Sequence, residues 1–264
     1  MREAVRVHAA PGSAYLGGGT WLNSGKAEGV TRLVSLEHLD LCRVECDRGR
    51  CVIGAQVTLQ EIVESGLAPR ALRDAAGLTA SRTLRTMKTI GGALGLRAPD
   101  SAVIPALIAL RAEVAVAGRR GPLAIESYLA APAAHLVLSV IIPDTARPCA
   151  LRSLSRTSHS PRSLVVAVSA CAADAHAAAA AAVVTPSLMD PVIVVTDCVS
   201  APVRLTTVEG ACDAATIPTD IEARVGRVFA PAPDIHASPG YKRYLAGVYV
   251  ADCLHDLFGT GARP

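Results

Sequence analysis

The residues in this chain best suited to chemistry are glycines. Tyr15, Leu16, Gly17, Gly18, Gly19, Thr20, Trp21, Leu22 and Asn23 run a short apolar stretch into three consecutive glycines and a threonine. A backbone without Cβ atoms can approach a ligand closely, and successive N–H groups can turn toward one anion. That pattern suits phosphate oxygens, with the Thr20 hydroxyl as a further donor. Taken alone, a plain tight turn is the better reading, since glycine turns are common. It is neither a GxGxxG fingerprint nor a Walker A loop, since no Lys-Ser/Thr pair follows. A second segment, Lys88, Thr89, Ile90, Gly91, Gly92, Ala93, Leu94 and Gly95, reads as a tight glycine turn, with Arg85 upstream as a charge or a loop anchor. Two such turns, each after the end of a regular element, suggest a bipartite cradle for a diphosphate.

Other reactive side chains form no recognisable device. No Ser/His/Asp or Cys/His arrangement carries a local signature, so no catalytic residue and no metal ligand is assigned. The 8 cysteines include no CxxC pair. Cys42, Cys46 and Cys51 lie close together but lack a fourth thiolate for a cluster, and they read as buried free thiols. Trp21 reads as a core aromatic or a stacking ring, with core preferred. His159 reads as a surface-loop histidine. Arg156 and Arg162 either meet a partner or pack their stems on the domain. Lys242 and Arg243 read as a solvated or interface face.

Positioning the glycines requires strands and helices around them. A helix tail over residues 2–8 precedes a strand over 14–16 that delivers Gly17. A strand at 32–36 follows, then a hairpin of 43–45 and 51–53 around residues 47–49. Thr58 with Glu61 forms a capping-box pattern opening a helix over 59–65, which Gly66 ends. Further helices are expected at 69–77, 79–84 and 100–110. A hairpin over 113–116 and 121–124 comes next, then an apolar strand at 137–142 stopping at Pro143. Residues 144–148 are rich in turn formers and mark a boundary between a domain at 1–145 and a domain at 146–264. Strands at 150–154, 164–172 and 192–199 follow, with helices at 206–214, 219–228 and 241–257. The last carries Leu245, Val248, Cys253 and Leu257 as one stripe. The alanine run 177–182 reads as a connector.

Composition bounds the class. The chain has 264 residues, 51% hydrophobic and only 19% charged, so it can bury a core and is not disordered. Aromatics are 3%, leaving Ala, Val, Leu and Ile to fill that core. A net charge of +3 without a clustered basic face excludes a nucleic-acid partner. No run of apolar residues is long enough to span a bilayer, and the opening residues do not read as a signal peptide, so the expected compartment is the cytoplasm.

The two glycine segments, and several others in order, resemble the FAD-binding subunits of molybdenum hydroxylases, the family of xanthine and carbon monoxide dehydrogenases. YLGGGTWL at 15–22 is similar to its first diphosphate loop, and LRTMKTIGGALG at 84–95 to its second flavin loop. IGAQVTLQEI at 53–62, DSAVIPALIALRAEV at 100–114, LVLSVIIP at 136–143 and ASPGYKRYLAGVYVADCL at 237–254 resemble segments that follow. The likeness is greatest to small xanthine-dehydrogenase-like flavin subunits. It implies an α+β chain: a PCMH/VAO-type FAD-binding domain, then a C-terminal α+β domain like that of the CO dehydrogenase flavoprotein. It also implies an FAD-dependent oxidoreductase subunit. Molybdopterin and 2Fe-2S clusters would sit on a large subunit and an iron–sulfur subunit, separate or fused. Electrons would pass through FAD to NAD+ or another acceptor, with a purine as substrate of the complex.

Carried over residue by residue, the cofactor contacts are Tyr15 through Leu22, Thr89, Ile90, Gly91 and Gly92. Asp100 would bond the flavin nucleotide, Val137 (or Leu138) would offer a backbone contact near the isoalloxazine, and Arg152 would stand near the flavin. The sequence departs from the family in placing Ala93 where Asn is usual and in shortening the stretch from Gly92 to Asp100. The chain also starts within the family's first helix. A stand-alone FAD-dependent oxidoreductase of the same fold, or a non-catalytic interaction subunit that has lost FAD, are the alternatives.

Overall fold

The computed structural model describes residues 2–25, 27–131, 136–157, 160, 162–172, 188–212 and 217–258. It separates into two compact units. The first comprises Met1–Ala98 and Arg111–Thr145, the second Pro99–Leu110 and Ala146–Pro264.

The first unit begins with α1 (Arg2–His8) and β1 (Ser13–Leu16), which pairs in parallel with β2 (Arg32–Ser35). Parallel pairing needs a long crossover, and here that crossover carries the first glycine loop. A five-stranded antiparallel sheet follows in the order β3-β4-β7-β5-β6. Its strands are β3 (Val44–Asp47), β4 (Arg50–Gly54), β5 (Glu113–Val116), β6 (Leu123–Ala124) and β7 (Val137–Ile142). β4 and β7 are rich in branched residues and bury Ile53, Val140 and Ile142 completely. The β3–β4 hairpin closes through Arg48 (φ 48°) and Gly49 (φ 79°), the two left-handed positions of a tight hairpin turn.

That hairpin corrects the cysteine reading. Cys46 and Cys51 face each other in register and are joined by a disulfide, and Cys42 is exposed rather than buried. Cross-strand pairing, invisible in a linear spacing, brings the two sulfurs together.

Of the helices between β4 and β5, four belong to this unit: α2 (Leu59–Glu64), α3 (Arg70–Leu78), α4 (Arg82–Arg85) and α5 (Ile90–Leu96). The capping box at Thr58 and Glu61 is present in both directions, with the Thr58 N–H donating to Glu61 at 2.7 Å. The helix expected over 79–84 is instead one turn at 82–85, because Ala80 sits at φ 59° and Ser81 serves as the cap. Ile125–Ala130 forms a helix, α7, that the sequence reading did not include.

The second unit holds α6 (Val103–Ala109) and a four-stranded antiparallel sheet in the order β11-β10-β9-β8. The strands are β8 (Cys149–Leu154), β9 (Leu164–Ala172), β10 (Leu188–Thr196) and β11 (Val203–Arg204). Helices α8 (Thr206–Glu209), α9 (Ile221–Val228) and α10 (Pro239–Phe258) complete it. Leu164, Val166, Val168, Ile193 and Val195 meet Val225, Val250, Cys253 and Leu254 in one core. Alternate residues Val165, Ala167, Val192 and Val194 are equally buried, and α6 packs along β9 and β10. Such two-sided burial explains the near-continuous apolar runs of β9 and β10. Gly247 lets α10 approach α9, since a Cβ there would lie 2.8 Å from the Glu222 carbonyl oxygen.

The buried residues of α10 are Lys242, Ala246, Gly247, Val250, Ala251, Cys253 and Leu254, a stripe displaced from the expected one. Lys242 is the sharpest correction. Far from being solvated, it is 0% exposed. Its Nζ pairs with Asp234 at 2.6 Å and donates to the carbonyl oxygens of Asp197 and Ala232, both at 3.2 Å. The distant loop at Asp197 and the segment just before the helix supply those acceptors, so helical periodicity alone pointed the wrong way. Arg243 is exposed, as expected, and donates to the Phe229 carbonyl. His159 and the alanine run 177–182 lie outside the described residues.

Candidate functional site

The two glycine segments, far apart in sequence, meet in the first unit. β1 ends at Leu16 and releases Gly17, Gly18, Gly19 and Thr20 as a loop that turns back into a short 3-10 segment at Leu22–Ser24. Gly19 takes φ 68°, a left-handed position that favours glycine. Gly18 lies directly on the second segment. A Cβ built on it would overlap the Met87 carbonyl, standing 2.5 Å from the carbonyl carbon and 3.3 Å from the Lys88 nitrogen. Gly17 has more room, since a Cβ there would lie 3.1 Å from Thr89 Oγ1 and 3.2 Å from Gln56 Oε1, both side-chain atoms. The glycines therefore serve loop-to-loop packing as well as ligand approach.

The second segment is not a tight turn. Thr89 caps α5, accepting from the Gly92 N–H at 3.1 Å, and Gly91 and Gly92 form the helix's first turn. An isolated β-bridge joins Thr58 to Thr89. Ile90 N–H donates to the Val57 carbonyl at 3.0 Å and Gly91 N–H to the Ala55 carbonyl at 2.9 Å. Gly91 is fixed by this contact, because its Cβ would sit 2.7 Å from both Cβ and O of Ala55. Ala55 in turn donates to the Leu138 carbonyl at 2.9 Å. A ladder of backbone bonds thus ties β7, the turn after β4 and the second glycine segment together. Ala93 N–H is taken by the Thr89 carbonyl at 2.9 Å.

These bonds divide the labour. The first N–H groups of α5 are already donated to the protein. Among the described residues, no protein acceptor takes the N–H groups of Gly18, Gly19 or Thr20. A half-buried run of free N–H groups is a fit for an anionic oxygen cluster. The Thr20 hydroxyl and the Thr89 hydroxyl hydrogen are further donors on the same two loops. The residues present therefore fit the diphosphate of a dinucleotide, with the first loop as donor and the second as brace.

Flanking side chains refine this. Tyr15, just before the glycines, stacks on His8 with ring centroids 3.8 Å apart and planes 5° from parallel. Burial lowers the His8 pKa and raises that of Tyr15, so the stack holds a neutral imidazole more readily. Sequence reading missed His8, because only the fold of α1 back toward β1 places it there. Trp21 is 38% exposed, so the preferred core reading fails; its backbone carbonyl accepts from Ser24 at 2.7 Å. Leu16 and Leu22 are half-buried. Arg85 is an anchor rather than a ligand charge. It donates to Gln60 Oε1 at 3.0 Å and to the carbonyls of Gly77 and Ala80 at 3.1 and 2.8 Å.

The remaining expected contacts have these surroundings. Val137 is buried at the start of β7, paired with Val116, and the neighbouring Leu138 carbonyl is occupied by Ala55. Asp100 and Arg152 belong to the second unit. Asp100 is exposed at the entry to α6. Arg152 on β8 is ion-paired with Asp256 of α10 and donates to the Leu151 carbonyl at 3.0 Å. Arg156 is exposed, and Arg162 donates to Ser155 Oγ at 2.6 Å. Among the described residues, no group of three or more His, Cys, Asp or Glu side chains could hold a metal ion.

Comparison with known proteins adds to this geometry. A family model described as the FAD binding domain in molybdopterin dehydrogenase matches residues 1–145. The uncharacterized protein YgfM of Escherichia coli (strain K12) is 35% identical over 251 residues, spanning 94% of this chain and 89% of that one. A chain of carbon monoxide dehydrogenase from Hydrogenophaga pseudoflava, in a form lacking the Mo-pyranopterin moiety, superposes with a TM-score of 0.83. It is 19% identical, with 98% of this chain and 95% of that chain covered. A chain of quinoline 2-oxidoreductase from Pseudomonas putida 86 superposes at 0.80, with 16% identity and coverage of 98% and 95%. At such identities the structural likeness establishes the fold.

Proposed function

We propose that this chain, which belongs to the family of FAD-binding domains in molybdopterin dehydrogenases, is the flavin-bearing electron-transfer subunit of a molybdenum hydroxylase complex. The observation that carries the reading is the row of N–H groups at Gly18, Gly19 and Thr20, which have no protein acceptor among the described residues, on a loop packed against Met87. Those donors and the Thr20 hydroxyl would hold the FAD diphosphate, while Thr89, Ile90 and Gly91 fix the facing wall. FAD held by these residues would supply one- and two-electron chemistry, linking 2Fe-2S clusters on a partner to NAD+ or another acceptor.

In this reading, molybdopterin and the clusters belong to a large subunit and an iron–sulfur subunit. Hydroxylation then takes place away from this chain, whose own residues bind, orient and shield the cofactor. A purine as the substrate of the complex, and NAD+ as acceptor, rest on the sequence likeness to xanthine-dehydrogenase-like subunits. The chain has no helix long and apolar enough to cross a membrane among its described residues.

The test is the visible spectrum of the purified chain, with the released cofactor identified by chromatography, followed by co-purification with molybdenum and iron–sulfur partners. Flavin bands, released FAD and a co-purifying molybdenum subunit are expected. A colourless chain that takes up no added FAD would overturn the reading. FAD without any molybdenum partner would move it to a stand-alone oxidoreductase.

A further inference from the structure

One polar side chain at the junction of the two loops has no role in the packing just described. Gln56 lies in the turn after β4, where its backbone N–H donates to the Leu41 carbonyl at 2.9 Å. Its neighbours Ala55 and Val57 supply the carbonyls that brace Gly91 and Ile90. The turn is thereby fixed on both sides, and the Gln56 side chain leaves it in a set direction. Its Oε1 stands 3.2 Å from the Cβ position of Gly17, next to Thr89 Oγ1 at 3.1 Å from the same point. The carboxamide therefore faces the first residue of the donor loop and the cap of the bracing helix at once.

Gln56 is half-buried, yet among the described residues its carboxamide makes no hydrogen bond. Neighbouring Gln60, by contrast, donates to Glu64 at 2.7 Å and accepts from Arg85 at 3.0 Å. The polar end of Gln56 is therefore open to a ligand rather than committed to the protein. A carboxamide brings two N–H donors and no charge, and rotation about its last torsion exchanges oxygen and nitrogen without moving the chain. The Gln56 carboxamide leaves the turn beside Gly17, the residue that leads into the donor loop, and shares that point with the Thr89 hydroxyl.

We infer that Gln56 is a diphosphate-positioning residue: its Nε2–H group donates to a phosphate oxygen held by the Gly18–Thr20 N–H groups and so sets the affinity for the dinucleotide. The inference rests on the flavin reading and deepens it by naming a side chain that contacts the anion. A donor at this point adds a hydrogen bond to a charged acceptor without placing a cation in the loop. An acceptor in the same place would instead oppose the negative charge.

The experiment measures FAD dissociation constants for the full chain by flavin fluorescence, with thermal unfolding of the apo-protein in parallel. Gln56→Ala is expected to weaken FAD binding by about tenfold, the effect of losing one hydrogen bond to a charged group at a half-exposed site. Gln56→Glu should weaken it further, more so at low salt. That loss should shrink as pH falls from 7 toward the ordinary glutamate range of about 4.3. Gln56→Asn keeps the donor on a shorter stem and should recover part of the affinity lost in Gln56→Ala. Apo-protein unfolding should be unchanged across the three.

Wild-type affinity in both Gln56→Ala and Gln56→Glu overturns the inference while leaving the flavin reading intact. So does a Gln56→Glu loss that is indifferent to pH and salt, which would mark a purely structural effect. A wild-type chain that binds no FAD overturns the flavin reading itself, and this inference with it.

Discussion

Replacing Gly18 with alanine tests the site's central contact. The added methyl would overlap the Met87 carbonyl, 2.5 Å from its carbon, and crowd the Lys88 nitrogen at 3.3 Å. Both are backbone atoms, so no flexible side chain can swing aside. Met87 and Lys88 are themselves held, their N–H groups donating to the Leu84 carbonyl at 3.2 and 2.8 Å. The first loop must therefore retreat from the second. Overpacking of this kind costs about 1–3 kcal/mol, and each kcal/mol lowers the thermal midpoint of a domain this size by about 2–4 °C. The retreat also displaces the free N–H groups from their common target. Losing one bond to a charged oxygen, worth about 1.5–3 kcal/mol, weakens FAD binding by about ten- to a hundredfold. The assay pairs the flavin absorbance of purified protein with thermal unfolding. Gly95→Ala is the control. It lies within α5, and nothing stands within 4 Å of its Cβ position. It should bind FAD normally and gain up to about 1 kcal/mol. Should Gly18→Ala be as yellow and as stable as wild type, the close loop contact would not be what shapes the site.

Thr89→Ala removes the α5 cap, which is 6% exposed and bonded to Gly92 N–H. It should cost about 1 kcal/mol in denaturant unfolding, and Thr89→Ser should restore it. Trp21 is the single tryptophan, half-exposed and within the first loop. Its fluorescence should be quenched when FAD binds, and Trp21→Phe should shift stability by no more than about 0.5 kcal/mol. Lys242→Met leaves the Asp234 carboxylate without its buried partner and should cost about 3–5 kcal/mol, read by urea unfolding. The same cluster sets a pH dependence. Burial pushes the Asp234 carboxyl up, but the hydrogen bond from Lys242, the N–H groups of Ala237 and His236, and the Lys242 charge together hold it below its ordinary value. Asp197 is likewise depressed: burial opposes, and the N–H groups of Ser200, Ala232 and Val199 with the Lys242 charge prevail. A depressed carboxyl stabilises the fold above its unfolded value of about 3.9 and loses that contribution as pH falls through the folded value. Wild type should thus destabilise on acidification below about pH 4, and Lys242→Met should show a flatter profile there.

Sequence alone determined much of the local structure. Thr58 and Glu61 fixed a helix start, because a capping box is satisfied within four residues. The branched run of β7 and the turn at Arg48-Gly49 announced a strand and a hairpin for equally local reasons. The glycine loops were legible as candidates for close approach to an anion, and the order of segments along the chain was enough to suggest the family. Tertiary structure decided everything that depends on which distant residues meet. It set Gly18 on Met87 and Gln56 between the loops, neither of which any periodicity encodes. It turned Thr89 into a helix cap and spent the first N–H groups of α5 on Ala55 and Val57, leaving the free donors to the first loop. It joined Cys46 to Cys51 across a hairpin, exposed Trp21, and buried Lys242 against the distant Asp197 carbonyl as well as nearer acceptors. The physical reason is common to these cases. Caps, turns and alternation are settled by neighbours in the chain. Burial of a charge or the direction of a free N–H depends on atoms that only folding brings together.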